Sequence, residues 1–135
     1  MIATDGSSFA TQSLEYASKI YEHMPEKPVV YIVNVVSDLM GMGRQELAKE
    51  IQQAEKLLDK SARKFSEKGP DDDYVNVLVE VGEPRKKLVE LFKELEVDHL
   101  FMGGADFSST AVDIKSGGVT NFMLHHLSGV VTIVK

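Results

Sequence analysis

The residues able to carry chemistry stand beside glycines. Gly103-Gly104 closes one apolar segment, and Gly117-Gly118 opens another at Val119-Thr120. Glycine lets a backbone approach a ligand closely, and the N–H groups at a helix start favour a phosphate. Thr120 adds a hydroxyl at that start. Glycine pairs at loop ends are common, so spacing alone favours two plain turns. Asp5 follows a short apolar start. Its carboxylate can accept hydrogen bonds from a ribose or an adenine amino group. It can equally cap the helix that follows.

Other chemistries lack their residues. The histidines are His23, His99, His125 and His126. Adjacent positions on a helix point about 100° apart, so His125 and His126 make a poor metal clamp. No H-x-x-x-H or H-E-x-x-H spacing occurs. Ser108, Ser109 and Thr110 form a hydroxyl cluster without a G-x-S-x-G elbow, which argues against a serine hydrolase. There is no Walker-type phosphate loop. The expectation is no enzyme, no catalytic residue and no metal ligand.

Composition narrows the class. The 135 residues suit one domain over 1–135 with one core. Hydrophobic residues make up 43% and charged residues 27%, as in ordinary globular chains. The net charge of −6 argues against a nucleic-acid or membrane-surface partner, both of which need a basic face. Cysteine is absent, so there is no disulfide framework and no thiolate nucleophile. No apolar run reaches membrane length and the start shows no secretory pattern. A soluble, cytoplasmic protein is expected.

The elements that must position these residues alternate. Met1 to Thr4 is a short strand-like start. Ser7 or Ser8 to about His23 reads as a helix with Leu14, Ala17, Ile20 and Tyr21 on one face. Val29 to Val36 is β-branched and apolar almost throughout, the pattern of a strand buried on both faces. After the Ser37 to Gly43 loop, Arg44 to about Glu67 carries an apolar stripe from Leu47 to Phe65 and stops at Gly69-Pro70. The acidic run Asp71 to Asp73 reads as a solvated loop. Tyr74 to Val81 alternates valines as a strand, and Pro84 suits the first turn of the next helix, which buries Leu88, Leu91, Phe92 and Leu95. His99 to Met102 is a short strand, Ala105 to Ser116 a polar loop, Val119 to about Leu127 a helix, and Val130 to Val134 a last strand. The order β-α-β-α-β-α-β-α-β predicts an α/β fold, a doubly wound open sheet of five mainly parallel strands with helices on both faces. Ligands then bind beyond the carboxyl ends of the strands, near Asp5, Val35 and the stretch from Gly103 to Thr120.

Taken together, these segments resemble the universal stress proteins. IATDGSSFATQSLEYASKI looks like their opening, VYIVNVV their second strand, VEVGEPRKKLVEL their third strand and next helix, DHLFMGG their fourth strand, and GGVTNFMLHHLSGVVTIVK their closing helix and strand. The family's first strand usually begins several residues before the position of Met1. The resemblance implies the strand order 3-2-1-4-5. Many members bind ATP through G-x2-G-x9-G-[ST]. From Gly104 the spacing reaches Gly117, but Phe107 stands at the middle glycine and Gly118 at the hydroxyl position. Asp106 and Asp113 add negative charge there, and Lys115 is the loop's cation. The resemblance implies Asp5 at the adenosine, the Val35 backbone at the adenine, Gly104 at the ribose, and Gly117, Gly118, Val119 and Thr120 at the phosphates. The cofactor it implies is ATP or AMP, with magnesium as an accompanying option. It implies a stress-response regulatory domain. Another branch lacks the motif, and there the chain is a nucleotide-free interaction module. Either way a homodimer through the C-terminal strand is expected, because that apolar strand lies at a sheet edge.

Overall fold

The computed structural model describes residues 1–38, 41–67, 72–104 and 118–135. Its strands are β1 (Ile2–Ala3), β2 (Val30–Val36), β3 (Val75–Val81), β4 (His99–Gly103) and β5 (Val130–Val134). The described helices are α1 (Ser8–His23), α2 (Arg44–Ser66), α3 (Pro84–Glu94) and α4 (Val119–His126), with a 3-10 turn over Asp72–Tyr74. The strands form one sheet in the order β3-β2-β1-β4-β5, and every neighbouring pair is parallel. The expected architecture and strand order are therefore present, with no antiparallel pair.

Strand alternation divides the core between the two faces. Ile2, Val30, Ile32 and Phe101 pack with Leu14, Ala17 and Tyr21 of α1 and with Leu58 and Phe65 of α2. Val33, Leu100 and Met102 pack on the other side with Leu88, Leu91 and Phe92 of α3 and Met123 of α4. Ile32, Leu100 and Met123 are fully buried. Each such aliphatic side chain contributes about 1.5–3 kcal/mol by leaving water. This two-sided burial is why β2 reads as an unbroken apolar run rather than an alternating one.

The chain winds from β1 out to β3, then returns across the sheet to β4. The connections leaving β1 and β4 therefore part on opposite faces, which opens a gap beyond their carboxyl ends. The acidic segment takes a 3-10 turn over Asp72–Tyr74, with Asp73 and Tyr74 exposed. The Gly69-Pro70 stop and the Ala105 to Ser116 loop lie outside the described residues. No described helix is long and apolar enough to cross a membrane.

Gly103 sets how closely α1 meets the sheet. A Cβ there would lie 2.5 Å from the Ala10 nitrogen and 2.6 Å from the Phe9 carbonyl carbon, both backbone atoms. Backbone cannot swing aside as a side chain can. Gly103→Ala is therefore expected to destabilise the fold by about 1–3 kcal/mol, the range for overpacking a tight core site. Urea midpoints of the two proteins, at equal m-value, measure this.

Candidate functional site

The gap beyond β1, β2 and β4 is a crevice of about 300 Å³. That is the lower end of the usual range for small-molecule sites. Its walls come from the strand ends and from the first turns of α1, α3 and α4.

The β1 end is built by side chains binding backbone. The Thr4 N–H donates to the Val33 carbonyl at 2.9 Å, the last link of β1 to β2. Asn34 Nδ2 then donates to the Thr4 carbonyl at 2.7 Å, closing the point where β1 turns away. Gly6 takes the left-handed conformation, φ 80°, which lets the chain reverse into α1. Its N–H donates to Thr4 Oγ1 at 3.3 Å, and the Ser7 N–H donates to Asp5 Oδ1 at 2.9 Å. Ser7 Oγ accepts from the Ala10 N–H at 3.3 Å and caps α1. The cap is thus Ser7, and Asp5 instead braces the turn before it. The second carboxylate oxygen of Asp5 accepts nothing among the described residues, and the side chain is exposed.

Five expected site residues meet in this crevice: Asp5, Val35, Gly104, Val119 and Thr120. Val35 is held on its other side by pairing with Glu80 of β3. The Gly104 N–H donates to the Val134 carbonyl at 2.7 Å, so its carbonyl, and not its amide, faces the remaining choice of partners. Thr120 Oγ1 donates to the Gly103 carbonyl at 3.2 Å and keeps its lone pairs as acceptors. Gly118 is the exposed N-cap of α4 and does not line the crevice. Gly117 lies outside the described residues, as do Asp106, Phe107, Ser108, Ser109, Thr110, Asp113 and Lys115.

Three helices start at the crevice, and their caps differ. Ser7 serves α1. The Glu83 carboxylate serves α3, accepting from the Arg85 N–H at 3.1 Å and the Lys86 N–H at 3.2 Å. It also accepts from Arg85 Nε at 2.8 Å. Burial pushes the Glu83 carboxyl up, but the bonds from the Arg85 side chain and from the Arg85 and Lys86 backbone outweigh this and hold it below its ordinary value. The α4 N-cap, Gly118, has no side chain, so among the described residues the first-turn N–H groups have no side-chain acceptor. Such N–H groups suit water or an anion. Asp5 is the one charged residue among the described lining residues.

Sequence reasoning missed Asn34, Pro84 and Leu88 as crevice residues and Glu83 as a cap. Asn34 had a signal, as the lone polar residue inside the apolar β2 run. Pro84 was read only as a helix start and Leu88 only as core.

The model for the universal stress protein family matches residues 1–135. Solved structures share the fold. A universal stress protein in complex with cAMP is 23% identical with a TM-score of 0.74, the match covering 99% of this chain and 94% of that one. UspA from Lactobacillus plantarum is 15% identical with a TM-score of 0.81, covering 99% and 94%. A universal stress protein from Archaeoglobus fulgidus is 19% identical with a TM-score of 0.66, covering 98% and 95%. No curated protein sequence matches the chain.

The lowered Glu83 carboxyl has a pH consequence. A group depressed in the folded state stabilises above its unfolded pKa, and this is lost as pH falls through the folded value. Glu83→Gln is expected to cost about 0.5–1 kcal/mol at neutral pH, the low end for a helix cap because the side chain is part exposed. The gap between the two proteins should close as pH drops below the ordinary carboxylate range, about 4.3. Urea midpoints taken from pH 7 down to acid measure it.

Proposed function

The chain belongs to the universal stress protein family, and from that premise we propose that its crevice binds an adenine nucleotide, ATP or AMP, as the ligand of a stress-response regulatory domain. The observation that carries this reading is the meeting of Asp5, Val35, Gly104, Val119 and Thr120 in one crevice. They come from four separate segments, and two plain turns would not require them to converge. Asp5 and Val35 offer the adenosine side a carboxylate acceptor and strand backbone. The α4 start, uncapped and carrying Thr120, offers the phosphates N–H donors and a favourable dipole. Magnesium would accompany the phosphates. One relative of the same fold is a complex with cAMP, also an adenine nucleotide. The reading is one of binding, with Asp5 the one charged side chain among the described lining residues.

A second reading, a nucleotide-free module acting through dimerisation, is favoured by charge. The described lining holds Asp5 and no cation. Calorimetry with ATP or AMP plus magnesium separates the two. Binding is expected, and Asp5→Ala should weaken it by about 1.5–3 kcal/mol, the worth of a hydrogen bond to a charged group. No heat up to millimolar ligand would leave the nucleotide-free reading standing.

Dimerisation belongs to both readings. β5 is hydrogen-bonded to β4 on one side and forms the other edge of the sheet. Val130 at its start is 56% exposed and Leu124 of α4 is 52% exposed. An apolar edge strand is a template for a second copy. Sedimentation at tens of micromolar protein should show a dimer, and monomer alone would overturn this assignment.

A further inference from the structure

We propose that Arg85 is the cation that reads the phosphate tail at this crevice, so that it separates nucleotides from nucleosides; this rests on the adenine-nucleotide reading above. The lining itself poses the problem. The protein carries a net charge of −6, and the one charged group among the described lining residues is the Asp5 carboxylate. A polyanion entering such a site needs a positive group within reach of its tail.

Arg85 is not itself among the described lining residues, but on α3 it follows Pro84, which is. Its neighbours on α3, Pro84 and Leu88, both line the crevice. Its guanidinium carbon lies 5.5 Å from the centre of the Phe122 ring. The Phe122 N–H donates to the Gly118 carbonyl at 3.0 Å, the first backbone bond of α4. Arg85 therefore links the start of α3 to Phe122, one turn into α4, whose ring also stacks on His126; the turn before it is the helix start without a side-chain cap.

Its hydrogen-bonding state suits the role. Glu83 holds Nε at 2.8 Å, and the two terminal NH2 groups have no partner among the described residues. The side chain is 40% exposed, and an ion pair this open is worth little, so redirecting it costs little. A planar guanidinium with two free NH2 groups matches phosphate oxygens in a bidentate fashion. The neighbouring lysine is committed elsewhere: Lys87 pairs with Glu80 at 3.8 Å and Glu90 at 3.4 Å, on the β3 side.

The test is calorimetry of the full chain with ATP and with adenosine, for the parent protein, Arg85→Gln and Arg85→Lys. Arg85→Gln should weaken ATP about tenfold, the scale of one charge-assisted hydrogen bond, while adenosine stays within about twofold. Arg85→Lys should recover part of the ATP loss. The dependence of ATP affinity on salt should also flatten in Arg85→Gln. An unchanged ratio of ATP to adenosine affinity, or equal losses for both ligands, would overturn the role of Arg85 and leave the nucleotide reading intact. A parent protein that binds neither ligand would overturn both.

Discussion

Gly103 fixes how closely three elements meet at the crevice. Its missing Cβ admits the backbone of Phe9 and Ala10. Its carbonyl receives the Thr120 hydroxyl. The next amide, at Gly104, is bound by the Val134 carbonyl of β5. One small residue thus sets the distance from β4 to α1, the seat of α4 and the continuation of the β4–β5 ladder. A methyl group at this position would push against the main chain of α1, whose Ala10 lines the crevice. The energetic reason is packing: backbone in a close-packed interior has no rotamer to change.

The sheet order explains why the crevice exists. β1 lies between β2 and β4, and its connection leaves toward the face of α1 and α2, while β4 leads to α4 on the opposite face. Where neighbouring connections diverge, backbone donors and acceptors lose ladder partners and must be satisfied otherwise. Asn34 satisfies the Thr4 carbonyl, and the side chains of Thr4 and Asp5 satisfy the amides of Gly6 and Ser7. At α4 the cap is a glycine, and no described side chain takes up the first-turn donors. Two of the three helix starts are closed by the side chains of their own N-cap residues.

Charge adds a second level of order. Glu83 is both the cap of α3 and the partner of Arg85. The same carboxylate that fixes the helix start keeps the guanidinium beside Phe122. On the far face, Lys64 of α2 pairs with Glu15 of α1, an ion pair that ties two helices together away from the crevice.

What the sequence by itself determined was local. The period of Leu14, Ala17 and Tyr21 marked α1, the β-branched run marked β2 as buried on both sides, and Pro84 marked the start of α3. Helix and strand patterns repeat within two to four residues, so they are written along the chain. The element alternation also carried the parallel sheet, because helical crossovers return each strand in the same direction. Only the tertiary structure decided which of three candidate caps was used, Ser7 over Asp5 and Ser8, and which glycine of the Gly103-Gly104 pair was sterically required. It also decided that Asn34 reaches Thr4, that Thr120 reaches Gly103 and that the Arg85 guanidinium lies near the Phe122 ring. These pairs are far apart along the chain, and no periodicity links them. They are set by strand register and by the side of the sheet each helix takes, which are properties of the folded arrangement as a whole.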